Sequence, residues 1–314
     1  MEVRELYLKV LDNVRKVMIG KDELFSLIFS AILSGGHVLL EDNPGTGKTT
    51  LAKCIAKSID GEMNRVQFTP DLMPQDITGI NVYSRKDEEF HLIKGPVFTN
   101  ILLADEINRA TPRTQSALLQ AMEERSCSID RETLALPEPF LVIATENPIE
   151  TTGTYPLPEA QLDRFLIRVA MDNLDKDQEI FLLERFKTEN PMTELSAVVS
   201  CNDVIKASED IKRVFVHKCI EEYIVNISAA TRRSNKLLVG VSPRASLALM
   251  RISQAFAAIS GRNYVTPDDV RFLAPFAFGH RVVTVSGLSS VGECSSIINE
   301  IVKGIPVPTE KWTE

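Results

Sequence analysis

Gly45, Gly47, Lys48 and Thr49 have the types and spacing of a phosphate-binding turn, within Glu41-Asp42-Asn43-Pro44-Gly45-Thr46-Gly47-Lys48-Thr49-Thr50. In such a turn the backbone bends so tightly that successive N–H groups face phosphate oxygens. The N-terminus of the helix that follows adds partial positive charge. Lys48 would reach the β- and γ-phosphates of a nucleotide, and the Thr49 hydroxyl would ligate Mg²⁺. Asn43, Pro44, Gly45, Thr46, Gly47, Lys48, Thr49 and Thr50 are therefore the candidate nucleotide contacts. The usual pattern G-x-x-x-x-G-K-[ST] begins with glycine, where this chain has Asp42.

A second group is acidic. The apolar run Ile101-Leu102-Leu103-Ala104 delivers Asp105 and Glu106 to its C-terminal edge, the edge at which ligands bind in open α/β sheets. Asp105 would hold the Mg²⁺ shell, and Glu106 would orient and activate an attacking water. Taken alone, such a pair also serves as a helix cap and first-turn charge. A further apolar run ends in Thr145-Glu146-Asn147-Pro148. Asn147 there could hold the same water, or Asn147-Pro148 could be turn chemistry. Arg164 lies near the end of a short helical pattern, and Arg244 follows a Ser242-Pro243 helix start. Taken alone, Arg164 is more often a surface or capping residue, and Arg244 could be a helix-start arginine facing solvent. Met18-Ile19-Gly20 breaks two helical patterns just ahead of the phosphate turn. Its apolar side chains could pack on an adenine ring or simply form a helix–helix corner.

The elements that must hold these groups are legible from periodicity. Apolar positions at helical spacing predict helices over 3–17 and 22–33. Short continuous apolar runs predict buried parallel strands at 37–40, 65–68, 101–104, 140–144 and 166–170. Together they form a five-stranded α/β core. Two stretches inside it, 71–98 and 127–139, are too long for plain loops and read as hairpin-like protrusions. From Asp175 helical periodicity takes over, with Ile180, Leu183 and Phe186, then 214–228, 246–259 and 267–277, and no further convincing strand. The stretch 196–203 reads as a join. The expected division is an α/β core over 1–188 and an all-α domain over 189–314.

Composition narrows the classes. The 314 residues carry 35 Lys+Arg against 43 Asp+Glu, a net charge of -8, which weighs against a surface that wraps nucleic acid. The charged start has no signal-peptide core, and no apolar run is long enough to span a membrane. Five cysteines without C-x-x-C spacing read as reduced thiols, so a cytoplasmic location is expected.

Longer motifs make the pattern specific. Ala104-Asp105-Glu106-Ile107-Asn108-Arg109-Ala110 is followed by Thr114-Gln115-Ser116-Ala117-Leu118-Leu119-Gln120-Ala121-Met122-Glu123-Glu124. Glu146-Asn147-Pro148, then Gly153 to Phe165, then Ser242-Pro243-Arg244-Ala245 complete the set. These stretches resemble the MoxR family of AAA+ proteins over about residues 10–281. The resemblance implies a P-loop core with an all-α lid, Mg-ATP hydrolysis and assembly as a homo-oligomeric, usually hexameric, ring. It implies that Arg164 is the arginine finger reaching a neighbouring subunit's γ-phosphate. It implies that Asn147 is the first sensor, that Arg244 is the second sensor on the lid, and that Met18, Ile19 and Gly20 form the adenine-side segment. The stretches 71–98 and 127–139 correspond to the family's helix-2 insert and pre-sensor hairpin. Members are often chaperone-like, maturing or activating protein complexes with partners that carry a von Willebrand factor A domain. With no recognition domain seen after the lid, client choice is expected to lie with a partner.

Two other readings compete with this remodelling ATPase. A nucleic-acid remodeller is disfavoured by the acidic balance. A nucleotide-gated scaffold with little turnover draws on Asp42, but it has no use for a water-positioning acid at Glu106.

Overall fold

The computed structural model describes residues 1–42, 45–146, 153–187, 191–285 and 291–308, without the side chains of Asp42 and Val291. In chain order the elements begin α1 (Val3–Arg15), α2 (Asp22–Leu33), β1 (Val38–Asp42), α3 (Lys48–Ser58) and β2 (Met63–Gln67). Next come α4 (Pro74–Thr78), β3 (Gly79–Ser84), β4 (Glu89–Lys94), β5 (Ile101–Asp105) and α5 (Pro112–Glu124). They are followed by β6 (Ser126–Ile129), β7 (Glu132–Ala135), β8 (Leu141–Glu146), α6 (Glu159–Leu162) and β9 (Ile167–Met171). The remainder is α7 (Lys176–Phe186), α8 (Cys201–Asp210), α9 (Lys218–Arg233), β10 (Leu237–Val239), α10 (Pro243–Ile259), α11 (Pro267–Phe278), β11 (Val283–Thr284) and α12 (Val291–Gly304).

The main sheet has the order β2-β5-β8-β1-β9, with every pairing parallel. All five are strands that the apolar runs predicted. β5 is buried at every position, as is β8 apart from Glu146 at its end. Side chains alternate between two cores, as the two-residue strand period requires. Val38, Leu40, Ile101, Leu103, Ile143 and Ile167 face one cluster. Leu39, Leu102, Ala104, Val142 and Ala144 face the other, built largely with α5.

The first cluster does not stop at the sheet. It runs from α1, α2 and α3 into α9, α10 and α11 without a break, so the helical lid and the sheet share one apolar core. The boundary expected at 188/189 lies outside the described residues.

Both protrusions contain hairpins, β3 with β4 and β6 with β7, each antiparallel. Four details differ from expectation. The helix expected from Val214 starts at Lys218, because Phe215 pairs with the chain around Tyr264 and the His217 side chain accepts the Cys219 N–H as a cap. The stretch 196–203, expected as a join, already enters α8, which Ser200 and Asp203 cap reciprocally. The helical lid does contain strands, the short antiparallel pair β10 and β11. Helix α12 was not expected at all.

Candidate nucleotide site and the arginine face

The phosphate turn leaves β1 and enters α3. Gly45 and Gly47 have φ of +91° and +100°, left-handed values that L side chains avoid. Gly47 is the N-cap, so Lys48, Thr49 and Thr50 form the first turn of an eleven-residue helix, the end of a helix that favours an anion. Among the described residues, a Cβ built on Gly45 would meet nothing within 4 Å. Asn43 and Pro44 lie outside the described residues.

Behind the turn, Lys48 Nζ stands 3.4 Å from Asp105 Oδ1. Asp105 is almost fully buried, and a buried carboxylate needs partners. Arg65 Nε donates to its Oδ2 at 2.6 Å, and the Thr145 hydroxyl donates to its Oδ1 at 3.3 Å. Thr145 in turn accepts the Glu106 N–H at 2.9 Å, tying the ends of β5 and β8 together. Glu106 itself has φ +56°, a conformation that costs a non-glycine residue about 1–2 kcal/mol. That turn takes Glu106 out of the strand direction. Its Oε2 then accepts from Gln67 Nε2 at 2.7 Å and from Arg109 Nη1 at 3.1 Å. The two acids are thus held by separate partners. Arg65 and Gln67 belong to β2, whose register sets Gln67 opposite Asp105.

A cavity of about 700 Å³ opens beside the turn, lined by Met18, Ile19, Gly45, Thr46, Gly47 and Thr50 among others. Of the expected adenine segment, Met18 and Ile19 line this cavity beside the phosphate turn. Gly20 has φ +65°, and a Cβ there would run into the Gln178 amide of α7. The other wall was not anticipated: it is α7, through Leu182, Leu183 and Phe186. This helix is docked by Arg185, whose Nη1 donates to the Arg15 and Lys16 carbonyls at 2.7 and 2.8 Å at the end of α1.

Arg164 and Arg244 are elsewhere. Both line a second depression of about 400 Å³, which shares no lining residue with the first. Arg164 Nε is 3.1 Å from Glu123 Oε2, and Arg244 Nη2 donates to Glu123 Oε1 at 2.8 Å. Ser242 caps α10 by accepting the Ala245 N–H, which puts Arg244 in the first turn facing this depression. The segment carrying Arg164 is fastened from the lid. Arg281 Nε donates to Asp163 Oδ1 at 2.6 Å and Nη2 to the Phe165 carbonyl at 2.6 Å, while His280 Nε2 donates to the same carbonyl at 2.9 Å. Burial lowers the pKa of both Arg281 and His280. Asn147 lies outside the described residues.

Arg65, Gln67, Thr145, Glu123 and Arg281 were missed by sequence reading. For Arg65 and Gln67 a signal existed, since alternate residues of a strand share one face. Glu123 and Arg281 carry none, because their partners are distant in sequence.

The arrangement has relatives. Residues 37–167 match the family model described as "ATPase family associated with various cellular activities (AAA)", and residues 229–301 match the AAA lid domain. The chain is 39% identical over 306 residues to Chaperone MoxR1 of Mycobacterium tuberculosis, covering 94% of this chain and 81% of the relative. The chain belongs to the MoxR family of AAA+ ATPases. The chain is also 44% identical over 304 residues to the uncharacterized protein YeaC of Bacillus subtilis, covering 96% of this chain and 95% of that one. The MoxR fold described here also superposes on a solved structure from Cytophaga hutchinsonii with a TM-score of 0.90 at 36% identity, covering 98% of this chain and 96% of that chain.

Mg²⁺ fits the residues present. Asp105 offers a buried carboxylate whose exposed competitor, Arg65, is half open to solvent, and Thr49 sits in the first turn of α3 beside Lys48. Among the described residues no helix is long and apolar enough to cross a membrane.

Proposed function

We propose that this MoxR protein hydrolyses ATP with Mg²⁺ and uses the energy to remodel protein clients. The observation that carries the reading is the convergence of three groups: the α3 N-terminus with Lys48, the buried Asp105, and Glu106 turned out of its strand. The turn around Gly45–Thr50 would hold the triphosphate through backbone N–H groups, with Lys48 on its β- and γ-oxygens. Mg²⁺ would supply charge neutralisation between phosphates, held by Thr49 and Asp105. Glu106 would accept a proton from the attacking water as the water oxygen bonds to the γ-phosphorus. The bond to the β–γ bridging oxygen then breaks and ADP leaves. Asn147 would orient that water. Met18, Ile19 and Gly20 would border the base, with α7 opposite.

Arg164 and Arg244 do not line this cavity, so both would serve a neighbouring subunit's nucleotide. That requires a homo-oligomer, for which a hexameric ring is the family's arrangement. The hairpin of β3 and β4 exposes Phe90, Ile93 and Tyr83, a suitable apolar contact for a client. A chaperone role in the maturation or activation of complexes, a partner with a von Willebrand factor A domain, the division near residue 188 and a cytoplasmic location complete the proposal. The test is Mg²⁺-dependent release of phosphate from ATP by the purified protein, with Lys48→Ala as the variant that should lose ATP binding. Nucleotide binding without any turnover, alone or with partner proteins, would favour the scaffold reading instead.

A further inference from the structure

Glu123 lies in the last turn of α5, where the carbonyl ends of the helix disfavour a negative charge. Helix stability does not account for it. Its surroundings do: its two oxygens are divided between Arg164 on the core and Arg244 on the lid, at 3.1 and 2.8 Å. Asp163, the other acid of this depression, is committed to the buried Arg281 and approaches Arg244 only to 3.9 Å. Arg125 and Arg251 also line the depression, so among the described residues it holds five arginines against two carboxylates. Its net charge is positive even with Glu123 in place.

Two properties make the Glu123 contacts exchangeable. The side chains of Glu123 and Arg244 are 42% and 59% exposed, and ion pairs that open to water contribute little to stability. The guanidinium fork also matches phosphate as it matches carboxylate. Two arginines that meet on one carboxylate are therefore close enough to meet on one phosphoryl group.

We propose that Glu123 is a placeholder anion: in a free subunit it holds Arg164 and Arg244 together, and it yields both to the terminal phosphate of a nucleotide carried by a second copy of this chain. This rests on the reading that both arginines act between subunits. Glu123 then competes with assembly. Its carboxylate satisfies the arginines before a neighbour docks, and it repels the incoming phosphates until it moves aside.

The test uses the full chain with Mg²⁺ and a non-hydrolysable ATP analogue, following self-association by sedimentation across a protein concentration series. Glu123→Gln should lower the concentration of half-association at least threefold, with nucleotide affinity of the dilute subunit within twofold of the parent. Glu123→Ala should do the same, and both should melt with the parent. The shift should vanish when Arg164→Ala and Arg244→Ala are added. An unchanged or raised half-association concentration in both Glu123 variants overturns the proposal. Arg164→Ala alone separates the two levels. If it leaves association and concentration-dependent turnover as in the parent, the intersubunit reading itself fails. If it weakens them while the Glu123 variants do not shift, only the placeholder role is lost.

Discussion

Arg281 Nε and Asp163 Oδ1 are 2.6 Å apart, and through this pair the lid grips the segment that presents Arg164. The arginine side chain is 4% exposed, and its other donors go to the backbone carbonyls of Asp163, Phe165, Leu166 and Ala277. It is a strut rather than a ligand. Removing one partner of such a pair strands the other charge, so Arg281→Ala should destabilise the fold by about 3–5 kcal/mol. A urea titration with a midpoint within error of the parent would show that the strut carries no load.

Phe186 and Leu183 of α7 are 42% and 68% exposed although they line the cavity beside the phosphate turn. Large apolar groups left open to water gain little for the fold. A base sliding between α7 and Met18 would cover them. Phe186→Ala should therefore weaken ATP binding by about tenfold, within the 1–3 kcal/mol that a base–aromatic contact is worth, and leave the melting temperature in place. Equilibrium titration with a fluorescent ATP analogue checks the affinity. A large drop in melting temperature with unchanged affinity would assign Phe186 to packing.

His37 links three elements in its neutral form. Nδ1 accepts the Val142 N–H at 3.0 Å, and Nε2 donates to the Met122 carbonyl at 3.2 Å. Full burial, with Arg125 nearby, pushes its pKa from 6.5 down to about 3. As pH falls below 6.5 the unfolded chain takes up a proton that the folded chain refuses, so stability is lost on acidification. By pH 5 the His37 contribution is about 2 kcal/mol, at ~1.4 kcal/mol per pH unit. His280 acts in the same direction. Glu146, whose pKa is raised chiefly by desolvation, acts in the opposite one. Comparing denaturation midpoints of the parent and His37→Gln between pH 7 and 5 isolates the imidazole. Parallel curves would contradict the assignment.

Arg164→Ala should lower turnover by a factor of about 10³ or more, the scale of an arginine that stabilises charge on a transferring phosphoryl group. ATP affinity of dilute subunits should be unchanged, since Arg164 lies outside their own nucleotide cavity. Loss of affinity in the dilute subunit would place Arg164 on its own nucleotide.

The sheet and most of the helices were legible because each announces itself locally. The run Ile101–Ala104 is apolar at every residue because β5 is covered on both faces, and Gly47 is required by one backbone angle. Asp105 and Glu106 could be placed at the sheet's edge for the same reason. What stayed hidden is pairing across distance. Glu123 reads as an ordinary acid in a helix that ends in Glu124, yet its partners are 41 and 121 residues away. Arg281 is a buried strut whose partner Asp163 lies 118 residues away. The start of α9 was misplaced because Phe215 is spoken for by an extended contact with the segment around Tyr264.

The most direct measurement is ATP binding and steady-state phosphate release by Glu106→Gln beside the parent protein. The amide keeps the shape of the side chain and removes the base. Affinity should stay within about twofold, while turnover falls by 10² or more, roughly the weight of a general base. Normal turnover in Glu106→Gln would mean that another group activates the water, and the chemistry assigned to the end of β5 would be wrong.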